Sequence, residues 1–420
     1  MQVISLIRIF CLVLVGAVQA PANGFALKDG DRVVFYGDSI TDQRLYTTFT
    51  ETYVVTRFPK LDVSFVHSGW GGDRVTGGGG GPIDVRLRRD VFAYKPTVMT
   101  IMLGMNDGSY KAFDEKIFDT YAKGYQRIID SVKKELPGIR VTVIQPSPYD
   151  DVTQPAKFEG GYNAVLVRYG EFVKELAGKE KLNVADLNAP VVAALEKAKA
   201  TDADLAKKII PDRVHPGASG HLLMAAELLK SWQAPALVSA VEIDAKAKKV
   251  AGAKGTKVSD LKTGDAISWT QLDEALPMPV DLKDPATALA VASSDFVETL
   301  NQQTLKVTGL NAGSYTLKID EDEIGSFTSE QLGQGINLAI LPTPMAKQAA
   351  QVHNLTLKHN NIHFQRWRQV QVPLEKNDSP RVQKAVKDLM TAIDDEEAEI
   401  VKQQRAAAQP KRHQFQLVPK

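Results

Sequence analysis

The sequence predicts a three-layer α/β domain built on a parallel sheet, followed by a small β-rich region and a helical C-terminal tail. Three observations predict it. From residue 33 to about 232, short apolar runs alternate with longer segments of helical periodicity, the pattern of a parallel sheet with helices on both faces. The apolar runs, such as Val33-Val34-Phe35-Tyr36, are nearly continuous, as strands buried on both faces must be. After Ala234 the segments shorten and polar–apolar alternation takes over, until helical spacing returns near Met345.

The elements follow in order. Residues 33–36 are the first strand and 43–58 the first helix, with Leu45, Phe49, Tyr53, Val54 and Phe58 at helical spacing. A second strand at 63–67 leads through a glycine-rich loop to a helix near 83–93. A third strand occupies 98–103. The long helix after it, near 114–136, gathers Ile117, Tyr121, Tyr125, Ile128, Val132 and Leu136 on one face, and Pro137-Gly138 ends it. Strands at 141–144 and 182–185 and helices near 161–176, 190–200 and 218–232 complete an α/β domain over 27–235. In the β-rich region, 236–344, residues 314–320 alternate as a strand. With Leu305-Lys306-Val307 and the turn Leu310-Asn311-Ala312-Gly313 they predict a hairpin. The region 345–420 is helical, with a helix start at Asp378-Ser379-Pro380 and the last ten residues expected to be loose. This tail can pack on either domain.

Composition narrows the function. A chain of 420 residues has room for two or three domains, and its net charge of +1 gives a nucleic-acid polyanion no obvious hold. Arg8, the apolar run 9–18 and Ala20-Pro21-Ala22 read as a secretory signal peptide, residues 1–22, with an uncleaved anchor as the alternative. Export would place the mature protein outside the cell or in a periplasm. No other segment is long and apolar enough to span a bilayer. The single cysteine, Cys11, lies in the leader, so disulfides, thiol catalysis and Cys-ligated zinc are excluded from the mature chain. Nothing in the sequence sets the oligomeric state.

The chemistry gathers at loops that follow strands. Ser39, in Gly37-Asp38-Ser39-Ile40-Thr41, sits between the end of the first strand and the start of the first helix, where open α/β sheets form their ligand crevices. It is either a nucleophile or a helix cap. A nucleophilic serine needs a base, a group that orients the base, and donors for the oxyanion. His215 in Pro211-Asp212-Arg213-Val214-His215-Pro216-Gly217 offers a base, and Asp212, three residues earlier, a carboxylate to hold it; both could instead cap the last helix. Gly72, in Gly69-Trp70-Gly71-Gly72-Asp73, and Asn106, in Leu103-Gly104-Met105-Asn106-Asp107, offer oxyanion donors alongside the N–H of Ser39, although each also suits a plain turn.

These four blocks, in this order and spacing, resemble the SGNH hydrolases, also called the GDSL esterase/lipase family. The resemblance covers about residues 27–232. It implies a flavodoxin-like α/β/α fold, Ser39 as nucleophile, His215 as base, Asp212 as its orienter, and Ser39, Gly72 and Asn106 as the oxyanion hole, with Gly71 the alternative to Gly72. It implies no metal and no cofactor. One position departs: the second block often begins with asparagine, and here that place holds His67. The Gly-x-Ser-x-Gly elbow of other serine hydrolases is absent around Ser39.

Other features are secondary. The run Gly77–Gly81 lacks a following Lys-Ser or Lys-Thr and reads as a flexible rim loop, not a phosphate cradle. Trp70 is a candidate stacking platform for a sugar ring, with a core-filling role as the alternative. His353, His359 and His363 lack the carboxylate of a zinc pattern and read as packing residues. Phe364, Arg366, Trp367 and Arg368 could form a docking face for the tail. The expected protein is a secreted serine esterase acting on acyl, foremost acetyl, esters of carbohydrates, its partner being a small-molecule or polysaccharide ester. The alternatives are a lipid or lysophospholipid esterase and a non-catalytic carbohydrate-binding protein.

Overall fold

A computed structural model describes residues 24–420. The leader read at 1–22 lies outside the described residues. Five strands form the first sheet: β1 (Arg32–Gly37), β2 (Ser64–Gly69), β3 (Val98–Met102), β4 (Arg140–Ile144) and β5 (Asn183–Ala185). Their order is β2-β1-β3-β4-β5 and every pairing is parallel. Val33 to Tyr36 are fully buried, as the continuous apolar run required. The helix Leu45–Arg57 packs against Ala218–Ser231, and Glu115–Glu135 against Gly161–Glu180. The chain leaves β1 for β2 on one side and returns to β3 on the other. The crevice at the carboxyl ends of β1 and β3 is therefore a topological switch point.

The helix Leu45–Arg57 carries buried polar residues that its apolar spacing does not explain. Thr50 and Thr56 return their hydroxyls to the carbonyls of Tyr46 and Thr52, at 2.8 and 2.7 Å. Thr48, Glu51 and Thr52 face a second helix, Pro344–Phe364, which docks on the outside. His353 Nδ1 lies 3.0 Å from Thr52 Oγ1, Asn360 donates to Thr48 Oγ1 at 3.0 Å, and His359 Nε2 lies 2.6 Å from Glu51 Oε1. Glu51 also accepts from Gln404 at 2.9 Å. Burial alone would push the His359 imidazolium down. The Glu51 and Glu397 carboxylates outweigh it and raise its pKa to about 9. The histidines are packing groups, and the helical tail lies against the α/β domain.

The C-terminal half contains two sheets. One has the order Thr256–Thr263, Ile267–Asp273, Arg412–Pro419, Ser314–Ile319, Asp322–Thr328. The other runs Ile336–Asn337, Gln302–Thr308, Leu237–Asp244, Lys249–Lys254. Two expectations are corrected here. The hairpin expected between 305–307 and 314–320 does not form. Gln302–Thr308 pairs parallel with Leu237–Asp244, while Ser314–Ile319 turns back with Asp322–Thr328 in the other sheet. The last ten residues are not loose either. Arg412–Pro419 is the middle strand of its sheet, with Phe415 and Leu417 buried and Phe415 stacked on Trp269 at 5.1 Å. Two short helices that the alternation did not signal, Pro285–Ala292 and Phe296–Leu300, bury Leu289, Phe296 and Leu300 in the α/β core. Among the described residues no helix is long and apolar enough to cross a membrane.

Candidate active site

β1 ends at Gly37, where a Cβ would sit 2.2 Å from Thr41 Oγ1 and 2.7 Å from the Met102 carbonyl, so only glycine allows the turn. Asp38 caps the short helix Ser39–Asp42, its Oδ1 accepting the Ile40 N–H at 3.0 Å. The capping task thus belongs to Asp38. Ser39 is the first helical residue, half-buried, with its hydroxyl in the crevice.

The loop before Ala218–Ser231 brings the other two groups. His215 Nε2 lies 2.8 Å from Ser39 Oγ, and His215 Nδ1 lies 2.7 Å from Asp212 Oδ2. Because a carboxylate accepts at Nδ1, that nitrogen carries the proton, and Nε2 is left to accept from the serine hydroxyl. Asp212 is fixed in turn: its Oδ1 accepts the N–H groups of Val214 and His215, at 2.9 and 2.6 Å. Partial burial pushes the Asp212 carboxyl up, but the bonds from the His215 backbone and imidazole and from Val214 outweigh it and hold it below the usual range. Asp212 is an anion at neutral pH, suited to stabilising an imidazolium.

Facing Ser39 is the loop after β2. The Gly71 N–H donates to Asp42 Oδ2 at 3.1 Å and is spoken for. Gly72, at φ +76°, has open space where a Cβ would be, and among the described residues its N–H meets no acceptor. The Ser39 N–H is likewise unengaged. Asn106, after β3, is buried; its Nδ2 donates one proton to the Asp73 carbonyl at 3.0 Å, which leaves the second free. Its Oδ1 accepts the Tyr110 hydroxyl at 3.0 Å. The structure therefore brings together Ser39, His215, Asp212 and three free N–H donors, and leaves Gly72, not Gly71, available. Such a set can activate a hydroxyl and receive an oxyanion.

Comparison with known proteins agrees. The family model for the GDSL-like lipase/acylhydrolase family matches residues 35–223, a range holding all of these groups. A solved structure described as a gut microbial diltiazem-metabolizing enzyme is 30% identical, superposes with a TM-score of 0.80, and covers 94% of this chain and 98% of its own. The chain belongs to the GDSL-like lipase/acylhydrolase family. An acetylxylan esterase from Geobacillus stearothermophilus is 26% identical over 228 residues, covering 48% of this chain and 93% of the esterase. The protein is an ester-hydrolysing serine hydrolase.

Around the site, this GDSL hydrolase departs from several expectations. Trp70 is not an open platform. The Arg368 guanidinium lies 3.5 Å from its ring centroid, Arg86 and Arg89 lie at 5.3 and 5.4 Å, and Trp367 meets it edge-on at 5.5 Å. The glycine run is not a loose rim loop either. Gly77–Gly78 pairs with Gly81–Pro82, and a Cβ on Gly80 would lie 2.6 Å from both Trp70 Cδ2 and Arg86 Cδ. Beneath it, Arg86 is fully buried between Asp73 and Asp90, donating to Asp73 Oδ2 at 2.7 Å and to the Ser68 carbonyl at 2.8 Å. His67, the departure from the family pattern, is buried against Thr47 and Glu51, at 2.6 and 3.2 Å. Among the described residues no cluster of three metal-ligating side chains occurs.

Sequence reasoning missed three residues. Asp42 secures Gly71, and Arg368, in the π-helical turn Gln365–Gln371, donates to Asp42 Oδ1 at 3.2 Å and to the Gly69 carbonyl at 3.4 Å. Tyr110 holds the Asn106 amide. Asp42, three residues past Ser39, and Tyr110, four past Asn106, lie beside motifs; Arg368, read only as part of a docking face for the tail, reaches the site from the far end of the chain.

Proposed function

We propose that this hydrolase is an exported acetyl esterase acting on carbohydrate esters, with Ser39 as nucleophile, His215 as general base and Asp212 as its orienter. The continuous line of short contacts, Ser39 Oγ to His215 Nε2 at 2.8 Å and His215 Nδ1 to Asp212 Oδ2 at 2.7 Å, is the observation that carries it. Ser39 Oγ attacks the acyl carbon as His215 Nε2 takes its proton. The N–H groups of Ser39 and Gly72 and the free Asn106 N–H receive the oxyanion. His215 returns the proton to the departing alcohol, and a water, deprotonated by the same imidazole, releases the acid.

One comparison favours a short acyl group. The α/β domain resembles an enzyme named for acetylxylan, which supports a carbohydrate ester. The relative that matches over nearly the whole chain is described as metabolising diltiazem, which supports a second reading, a small-molecule ester in place of a polymer. The leader pattern at residues 1–22 supports export. The test is acetate release from a panel of acetylated polysaccharides and small acetates, beside p-nitrophenyl acetate and octanoate, with Ser39→Ala as control. Acetate release lost in Ser39→Ala is the expected result. Preference for octanoate would move the substrate to lipid esters, and no turnover of any ester would remove the catalytic reading. Export is checked on the mature protein, whose first residue should be Asn23.

A further inference from the structure

Tyr110 takes part in none of the steps above, yet the structure constrains it heavily. Ser109 and Tyr110 sit at φ +58° and +56°, in the left-handed region that residues with a Cβ seldom enter. Such conformations persist where the surroundings dictate them, often at ligand sites. Two sets of contacts dictate this one. The hydroxyl donates to Asn106 Oδ1 at 3.0 Å, and the ring lies 5.1 Å from that of Tyr162 and 6.2 Å from that of Tyr149. Tyr162 is anchored by its own hydroxyl, which donates to the Met105 carbonyl at 2.6 Å. Tyr149 and Tyr162 are buried, but Tyr110 is 39% exposed. A rigid aromatic ring open to solvent beside a reacting centre is a binding surface.

The hydroxyl has a separate task. A primary amide can turn end for end, and Asn106 would then aim Oδ1, not N–H, at a developing oxyanion. The Asp73 carbonyl and the Tyr110 hydroxyl fix it the right way round by accepting from Nδ2 and donating to Oδ1. Burial, with the Asp38 and Asp212 charges nearby, pushes the phenol up to about 12, so it remains a donor over the working range. The Tyr149 ring beside it is joined to the loop of the base, the Arg213 guanidinium lying 5.9 Å from its centroid. Asp150, next to Tyr149, donates its N–H to the Arg213 carbonyl at 2.9 Å, in the loop that carries His215. His215 protonates the departing alcohol, so that side of the cleft holds the alcohol half of the ester.

We propose that Tyr110 binds a ring-bearing alcohol half of the substrate, a pyranose or an aryl ring, on its exposed face, and through its hydroxyl acts as a positioning residue for Asn106. The proposal rests on the esterase reading and assigns to Tyr110 the platform that Trp70 cannot supply. The test compares a mono-acetylated methyl xyloside with ethyl acetate in wild type, Tyr110→Phe, Tyr110→Ala, Asn106→Ala and the Asn106→Ala/Tyr110→Phe double variant. Wild-type turnover, lost in Ser39→Ala, reports on the esterase reading by itself. Tyr110→Phe should lower kcat about tenfold on both esters with KM nearly unchanged. Tyr110→Ala should add a rise in KM of about fivefold or more for the xyloside only. In the Asn106→Ala background Tyr110→Phe should change kcat by less than about twofold, since the group it positions is gone. The hydroxyl role is overturned if Tyr110→Phe matches wild type or adds its full loss to that of Asn106→Ala. The ring role is overturned if Tyr110→Ala and Tyr110→Phe share one KM for the xyloside.

Discussion

Replacing Arg368 by alanine should slow the enzyme without weakening substrate binding. Arg368 Nη1 donates to both carboxylate oxygens of Asp42, at 3.2 and 3.3 Å, and Asp42 Oδ2 accepts the Gly71 N–H at 3.1 Å. Gly71 precedes Gly72, the proposed oxyanion donor. The guanidinium also covers Trp70 at 3.5 Å. The side chains of Arg368 and Asp42 are 18% and 21% exposed, so the ion pair is screened in part. A charge-assisted hydrogen bond at such a site contributes about 1–2 kcal/mol. Expressed wholly as displacement of the Gly72 N–H, this lowers kcat by about 5- to 30-fold, less than the hundredfold expected for deleting a donor, because the N–H remains nearby. The assay is p-nitrophenyl acetate kinetics on wild type, Arg368→Ala, Arg368→Lys and Asp42→Asn, with a thermal melt of each. Lysine restores the charge but not the planar stack on Trp70, so its recovery should be incomplete. Wild-type kcat in Arg368→Ala, with only a lower melting temperature, would refute the reasoning and leave the tail a stabilising role alone.

Other outcomes follow from the same contacts. The pKa of His359 is raised to about 9 from an ordinary value of 6.5, so its contribution to stability is complete below about pH 6.5 and is lost as pH rises through 9. The urea midpoint should therefore fall between those values, and Glu51→Gln should flatten the fall; a flat wild-type profile would contradict the buried ion pair. Gly80→Ala should destabilise by about 1–3 kcal/mol, because its Cβ meets Trp70 and Arg86, neither free to move; an unchanged melt would contradict that packing. Ending the chain at Pro410 removes the middle strand Arg412–Pro419 and should abolish the near-ultraviolet signal of buried Trp269; a native signal would show that the strand is dispensable.

The parallel sheet was legible because burial on both faces leaves an unbroken apolar run, and Val33 to Tyr36 is one. The reactive loops were legible for a different reason: each motif is local, and the alternation of strand and helix already places them at one edge. What escaped depends on partners distant in sequence. Gln302–Thr308 alternates like a hairpin arm, but its partner is Leu237–Asp244, some sixty residues back. Trp70 carries no sign that Arg368 will cover it. Thr48, Glu51 and Thr52 look like solvent-facing residues of an ordinary helix until Pro344–Phe364 lies on them. The last strand was readable: His413, Phe415 and Leu417 alternate with Arg412, Gln414 and Gln416 and point inward. Its place at the chain end masked a clear period of two.

The central claim is that Ser39 is the nucleophile, and covalent labelling tests it most directly. Treated with a fluorophosphonate and mapped by peptide mass spectrometry, the wild-type enzyme should carry one adduct, on Ser39, and lose its esterase activity as the adduct forms. Ser39→Ala should take no label, and its kcat should fall by about a thousandfold or more. An adduct on a different serine, or substantial turnover by Ser39→Ala, would contradict the account.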